Sequence, residues 1–488
     1  METQNVLKSW LAPILAGAVV GILCTYYWLP PALIVFAPLS VIMFWRKPEY
    51  GLYVFIALVV ILTDAVDKDI EGIFAIKDVK IQGLPPFLIC FLLAMCFVYF
   101  FKLYFIEGKK SIISVKYGFV VIVVLLIATG TGIWLGSDPT NLKDDFYSVL
   151  YPVLCFYLCA NVLDTREKVY RMLGVLFLVG LIVASIYDIY YLRGHGWPYE
   201  SDDLGSRRIV TRATQDLMVF VAMTITIYSA SASSIITGWR RTLGYLGCVP
   251  MVFAILFSFR RSHWLGMIAA IAVFYFLSSA LEKRKTIFWV WVGIVMLTAA
   301  ILFSGDMANA PITRRVMSLA DRNQDSNVHH LLESQQTLKD ILSSPILGLG
   351  LGSKHSPVSG IDWAPEDQPT KIVHNTYLLI WMKLGMPGLF LFMWMVVKYV
   401  SLLMSYHKST APTYSGPIIA STGATVGHWF VLLLTGPVLA YWYQTFIIGL
   451  FAAMVLALIR EERRGNTGEN STLLHNISIP YISESHRG

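Results

Sequence analysis

Three stretches of this sequence carry side chains that could do chemistry. The first, VHNTYLLIWMKLGMPGLF (373–390), opens with His374-Asn375 where polar sequence gives way to apolar, and goes on to Gly385 and Gly388. The second, FSFRRSHWLG (257–266), sets Arg260 and Arg261 between two apolar runs. The third, RGHGWPYESDDLGSRRIVTRATQD (193–216), supplies Arg207, Arg208 and Arg212. An imidazole titrates near neutrality and can take a proton from a hydroxyl. A guanidinium keeps its charge, and its planar fork matches two phosphate oxygens. These are the parts for a reaction with a diphosphate leaving group and a hydroxyl acceptor. Each group also has a plain structural reading. The histidine can cap a helix or sit at headgroup level, the arginine pair can snorkel, and Glu200, Asp202 and Asp203 partly neutralise the third cluster.

The elements that must position these residues are membrane helices. The chain has 488 residues, 56% hydrophobic and 14% charged, with a mean hydropathy of +0.61. Apolar runs of about twenty residues, the length that crosses a hydrocarbon core, recur along the sequence. The expected fold is an all-α polytopic membrane protein of about 14 transmembrane helices (12–14). The expected spans are 8–27, 29–45, 50–64, 85–106, 117–135, 147–163, 170–192, 215–237, 242–259, 262–281, 286–304, 374–403, 417–436 and 439–459. The tight hairpins at Pro30-Pro31 and Gly436-Pro437 account for the range in the count.

Basic residues collect in alternate connections, as at Arg46-Lys47, Lys109-Lys110, Arg240-Arg241, Lys283-Arg284-Lys285 and Arg463-Arg464. The positive-inside rule makes these cytoplasmic and puts both termini inside. The organisation expected is 1–304 for helices 1–11, 305–373 for a large periplasmic loop, 374–459 for helices 12–14, and 460–488 for a disordered cytoplasmic tail. The loop holds eight acidic and six basic residues, and one helix is predicted over 325–345, followed by GLGLG (348–352) as its closing turn. All three candidate stretches then reach the same outer face, with no charged residue in mid-membrane. At 100° per residue, Gly385 and Gly388 lie within about 40° of the His374 direction, which predicts a face where a neighbouring helix approaches closely. The six cysteines all lie in apolar runs and form no cluster with histidine, so neither a disulfide nor a metal site is expected. The net charge of +7 suits membrane topology and gives no sign of nucleic acid.

These residues resemble the Wzy/WaaL superfamily of O-antigen polymerases and ligases. His374-Asn375, then residues 376–384 and Gly385-Met-Pro-Gly388, are similar to its signature of a histidine followed by Asn, Ser or Gln, nine residues, and Gly-x-x-Gly. RRSHWLG resembles the family's SRGAWLG and places its arginine on Arg261, while SSPILGLGLG (343–352) is similar to the end of its large periplasmic loop. Gln215-Asp216 stands where the family has Pro-Asn, and His330 where it often has a loop arginine.

The resemblance implies a GT-C-like glycosyltransferase of the bacterial inner membrane, inverting, with no metal and no cofactor. It would move a glycan from an undecaprenyl-diphosphate-linked oligosaccharide to an acceptor hydroxyl on the periplasmic side. His374 would be the base, Arg261 the catalytic arginine, and Arg260 with Arg207, Arg208 or Arg212 the further diphosphate contacts. Asn375, Gly385 and Gly388 would support them. A polymerase adds the glycan to another lipid-linked repeat unit and could work with a chain-length regulator; a ligase delivers it to lipid A–core. Protein is a third acceptor class. A transporter is the competing reading, disfavoured by the absence of repeated halves and by the gathering of polar groups on one face.

Overall fold

The computed structural model describes residues 43–65, 87–108, 116–192, 197–198, 207–208, 239–257, 260–280, 325–358, 373–409, 416–436 and 442–466, with isolated positions between 283 and 298. The expected spans 8–27 and 215–237, and most of 29–45 and 286–304, lie outside these residues. The described helices are α1 (Pro48–Ala65), α2 (Phe87–Phe101, continued by a π turn to Ile106), α3 (Lys116–Trp134), α4 (Pro139–Val162), α5 (Arg166–Leu192), α6 (Trp239–Phe257), α7 (Arg261–Leu277), α8 (Asp325–Ser343), α9 (Thr376–Ser409), α10 (Gly416–Thr435) and α11 (Trp442–Asn466). Among the described residues one strand pairing accompanies the helices, the two-residue antiparallel β1 (Trp197–Pro198) with β2 (Arg207–Arg208).

Among the described residues, four helical segments are long and apolar enough to cross a membrane: 139–162, 166–186, 376–405 and 418–435. Shorter apolar helices accompany them, among them 118–134 and 261–277. Helix α4 lies along α11, α7 along α10, and α5 against both α1 and α6. Phe55, Tyr151, Phe446 and Phe451 are fully buried between them. Outward-facing positions stay apolar, as with Phe119, Leu126 and Ile133 on α3 and Ile268 and Phe276 on α7. A helix apolar on both its packed and its open sides is suited to lipid.

Helix α4 begins at Pro139, eight residues before the expected span. Asp138 caps it by accepting from the Thr140 amide at 2.8 Å, and proline at the first helical position needs no partner for its missing N–H. The apolar pattern missed these two polar turns.

Helix α9 is broken at Gly385 (φ 66°, ψ −171°). This corrects the expectation of a glycine face for a neighbouring helix. Instead, the segment after α8 docks into the break. The Met386 amide donates to the Ile346 carbonyl at 3.0 Å, and Leu349 donates to Met382 at 2.6 Å, which replaces the Met386-to-Met382 bond the helix has lost. Pro387 adds to the interruption because it carries no amide donor. The nearest atoms that a Cβ on Gly388 would meet belong to Leu384 of its own helix.

GLGLG is an irregular ribbon wedged among three helices. Leu349 bonds α9, Leu351 donates to Ala128 of α3 at 3.0 Å, and Gly352 donates to the Asp145 carboxylate of α4 at 2.7 Å. Gly348, Gly350 and Gly352 have φ between 71° and 80°, and each abuts backbone where a Cβ would not fit. Only glycine combines that left-handed backbone with that proximity.

A charged pair is also buried among the apolar helices. Lys383, about 10 Å into α9 at 1.5 Å per residue, is buried and its Nζ pairs with Asp145 Oδ2. The two lie 238 positions apart, so sequence pattern could not pair them.

Candidate functional site

Glu333 sits two turns into α8 and is 2% exposed. Thr337 and Ile341, one and two turns further on, complete the buried stripe that fastens α8 to the helices beneath. The opposite stripe, Leu331, Leu338 and Leu342, is exposed and continues into Ile346 and Leu347. Helical spacing predicted the helix, but Leu331, Leu338 and Leu342 face outward and a carboxylate faces in.

His374 meets Glu333 from α9. Its Nδ1 lies 3.1 Å from Oε1 and 3.0 Å from Oε2, and its backbone amide donates to Oε2 at 3.0 Å. It is Asn375 that caps α9, its Oδ1 accepting from the amides of Tyr377 (3.0 Å) and Leu378 (3.3 Å). His374 therefore precedes the helix, and its direction is set by the carboxylate instead of by helical periodicity. With Nδ1 engaged, Nε2 at the far edge of the ring makes no hydrogen bond among the described residues. The side chain is 36% exposed, so part of the ring is open to the surroundings.

Three more imidazoles surround Glu333. His355 Nε2 lies 3.7 Å from Oε1, and His330 Nδ1 lies 3.9 Å from Oε2. The His330 and His374 rings are 4.4 Å apart between centroids, and the His329 ring is 6.1 Å from that of His374. His355 is oriented by Ser356. The Ser356 carbonyl accepts from His355 Nδ1 at 2.7 Å, and Ser356 itself donates from its amide and hydroxyl to Asp340 on α8. Burial acts to raise the Glu333 carboxyl, but contacts with His330 and His374 outweigh it and hold the group well below the usual carboxylate range. Burial pushes the His329 imidazole down. His329, Glu333 and His374 offer one ligand atom each, all within 4.8 Å of one another, and so could hold a metal ion.

Arg261 reaches the same helix from α7. Its Nη2 donates to Asn327 Oδ1 at 2.9 Å. From Asn327 to Glu333 is six residues, about 9 Å along α8 and roughly 120° around it. Arg260 is half-buried and caps α7 through its carbonyl, which accepts from the amides of His263 and Trp264. The structure thus brings His374 and Arg261 to α8, while Asn375 caps α9. The backbones of Arg207 and Arg208 form β2, pairing Trp197 with Arg208 and Pro198 with Arg207. Arg212 lies outside the described residues.

Sequence reasoning missed Glu333, Asn327 and the pair Asp145–Lys383. For Glu333 a signal was present: His329, His330 and Glu333 fall at i, i+1 and i+4, one turn of a predicted helix. Residues 246–393 match the Wzy_C family, described as O-antigen ligase, which supports the Wzy/WaaL superfamily. That segment runs from α6 to the break region of α9 and contains both Arg261 and His374. No curated protein matches the chain.

Proposed function

From a chain that carries an O-antigen ligase segment and is built of apolar helices, we propose a surface-polysaccharide polymerase of the bacterial inner membrane. It takes the glycan of an undecaprenyl-diphosphate-linked oligosaccharide and passes it to a hydroxyl of another lipid-linked repeat unit at the periplasmic face. The observation that carries this reading is the convergence on α8 of an imidazole held by a buried carboxylate and a guanidinium from a different helix.

In this mechanism Glu333 accepts the Nδ1–H of His374 and fixes the tautomer that leaves the Nε2 lone pair outward. Nε2 takes the proton of the acceptor hydroxyl as its oxygen attacks the anomeric carbon. The bond from that carbon to the diphosphate oxygen breaks on the opposite side, so the configuration inverts. The electron pair leaves on the diphosphate, whose charge Arg261 stabilises, assisted by Arg260 and by Arg207, Arg208 or Arg212. A base of this type contributes about 10²–10⁴-fold.

The family description favours one second reading, a ligase that delivers the glycan to lipid A–core. Purified protein incubated with lipid-linked repeat units, with and without lipid A–core, separates the two. Lengthened lipid-linked products support the polymerase, and transfer to lipid A–core supports the ligase. His374→Ala abolishes either product while the helical content is retained; undiminished transfer in that variant removes the base assignment.

A further inference from the structure

The surroundings of Glu333 are richer than a catalytic dyad needs. One buried carboxylate faces four imidazoles, from His329, His330, His355 and His374, where one suffices to orient a base. His329 and Glu333 are one helical turn apart on α8, so both present to the same side, and His374 closes on them from the start of α9. His355 has its Nδ1 turned to the Ser356 carbonyl and so offers Nε2 toward the carboxylate. An excess of nitrogen donors around a single carboxylate is a set that a borderline divalent cation selects.

We propose that His329, Glu333 and His374 form a Zn²⁺ site, and that its occupation switches off the base. Two imidazoles and one carboxylate with an open fourth position is a donor set zinc accepts, at bond lengths of about 2.0–2.2 Å. Ligand atoms around one such ion lie roughly 3.4 Å apart, against the 4.8 Å limit of the set here. The half-buried rings of His329 and His374 close that difference by rotation, while the buried Glu333 stays fixed. The cation replaces the proton that otherwise lies between His374 Nδ1 and Glu333. A neutral imidazole has one unprotonated nitrogen. Once Nδ1 binds zinc, the remaining proton stands on Nε2, and the nitrogen that would accept the hydroxyl proton becomes a donor. Zinc binding and glycan transfer therefore exclude each other at His374. The inhibitory half of this inference rests on the proposed function; the metal site itself does not.

The test begins with full-length protein stripped by a chelator and titrated with Zn²⁺ against a chromophoric zinc indicator. One Zn²⁺ per chain is expected, with affinity falling at least tenfold in His329→Ala. His329→Gln, which keeps a polar side chain of similar reach, shows the same loss and guards against misfolding of the alanine variant. Co²⁺ in place of Zn²⁺ gives the visible absorption of a cobalt ion held by nitrogen and oxygen ligands in wild type only. In the transfer assay, Zn²⁺ at one equivalent suppresses wild-type turnover and chelator restores it, while His329→Ala keeps turnover and loses the sensitivity. Binding that is substoichiometric, or unchanged in both His329 variants, overturns the site. Turnover that rises or holds steady with zinc fully bound overturns the switch. Should stripped wild type transfer no glycan at all, the proposed function fails, and the indicator titration still decides the metal site.

Discussion

Two buried carboxylates organise the same end of this molecule in different ways. Asp145 is held by the Lys383 ammonium and by the amide of Gly352, two fixed partners from α9 and the glycine ribbon. Glu333 is surrounded by imidazoles, the side-chain type that transfers protons and ligates metal ions. The first joins α4, α9 and the glycine ribbon and acts as a lock. The second joins α8 to His374 and leaves one ring edge open. Both carboxylates are buried, so burial alone does not mark a site of chemistry; the kind of partner does.

The comparison breaks most visibly at the lock. Lys383→Met strands a buried carboxylate and lowers stability by about 3–5 kcal/mol, read as a lower unfolding temperature in detergent. Turnover per folded molecule changes little. The double variant Asp145→Leu/Lys383→Met recovers much of the loss. A single variant as stable as wild type would show that the pair holds nothing together.

Glu333→Gln acts on the other centre. It keeps a hydrogen-bond acceptor but removes the charge that steadies the imidazolium, and turnover falls about 10²-fold with a small effect on unfolding. A variant with normal turnover would reduce Glu333 to a packing residue.

Gly385→Ala affects both centres, because the break in α9 lies between Lys383 and the docked ribbon. The left-handed backbone costs a non-glycine residue about 1–3 kcal/mol, and crowding against Ile346 and Leu347 adds to it. Melting and turnover fall together in that variant, whereas unchanged melting would argue that the break relaxes freely.

Arg261→Lys is the mildest change. Charge is kept and the two-pronged geometry is lost, so transfer falls by about tenfold in kcat/KM with stability within about 0.5 kcal/mol. Wild-type kinetics would count against a diphosphate contact there.

The helices were legible from apolar length and the site only in outline. Bounds such as Pro48–Ala65 for an expected 50–64, and Asp325–Ser343 for 325–345, follow from hydrophobic runs and from helical spacing ended by proline. His374-Asn375 and Arg261 stood out because polar groups at an apolar boundary are costly and therefore conspicuous. Glu333 did not, because in sequence it is one acid among eight in a polar loop, and only tertiary packing makes it buried. The same holds for Asp145, which lies 238 positions from Lys383. Gly385 was noticed and assigned the wrong use. Periodicity treats every residue of an apolar run as helical, whereas Pro387 two positions on signalled that the run breaks there.

The central claim is that Glu333 works through His374 and not independently of it. A double-mutant cycle tests this directly, measuring kcat for glycan transfer in wild type, Glu333→Gln, His374→Ala and the double variant. The account predicts that Glu333→Gln slows the wild-type protein about 10²-fold and has no further effect once His374 is gone. Losses that multiply in the double variant would mean the carboxylate serves some other step, and the dyad would not be the catalytic unit.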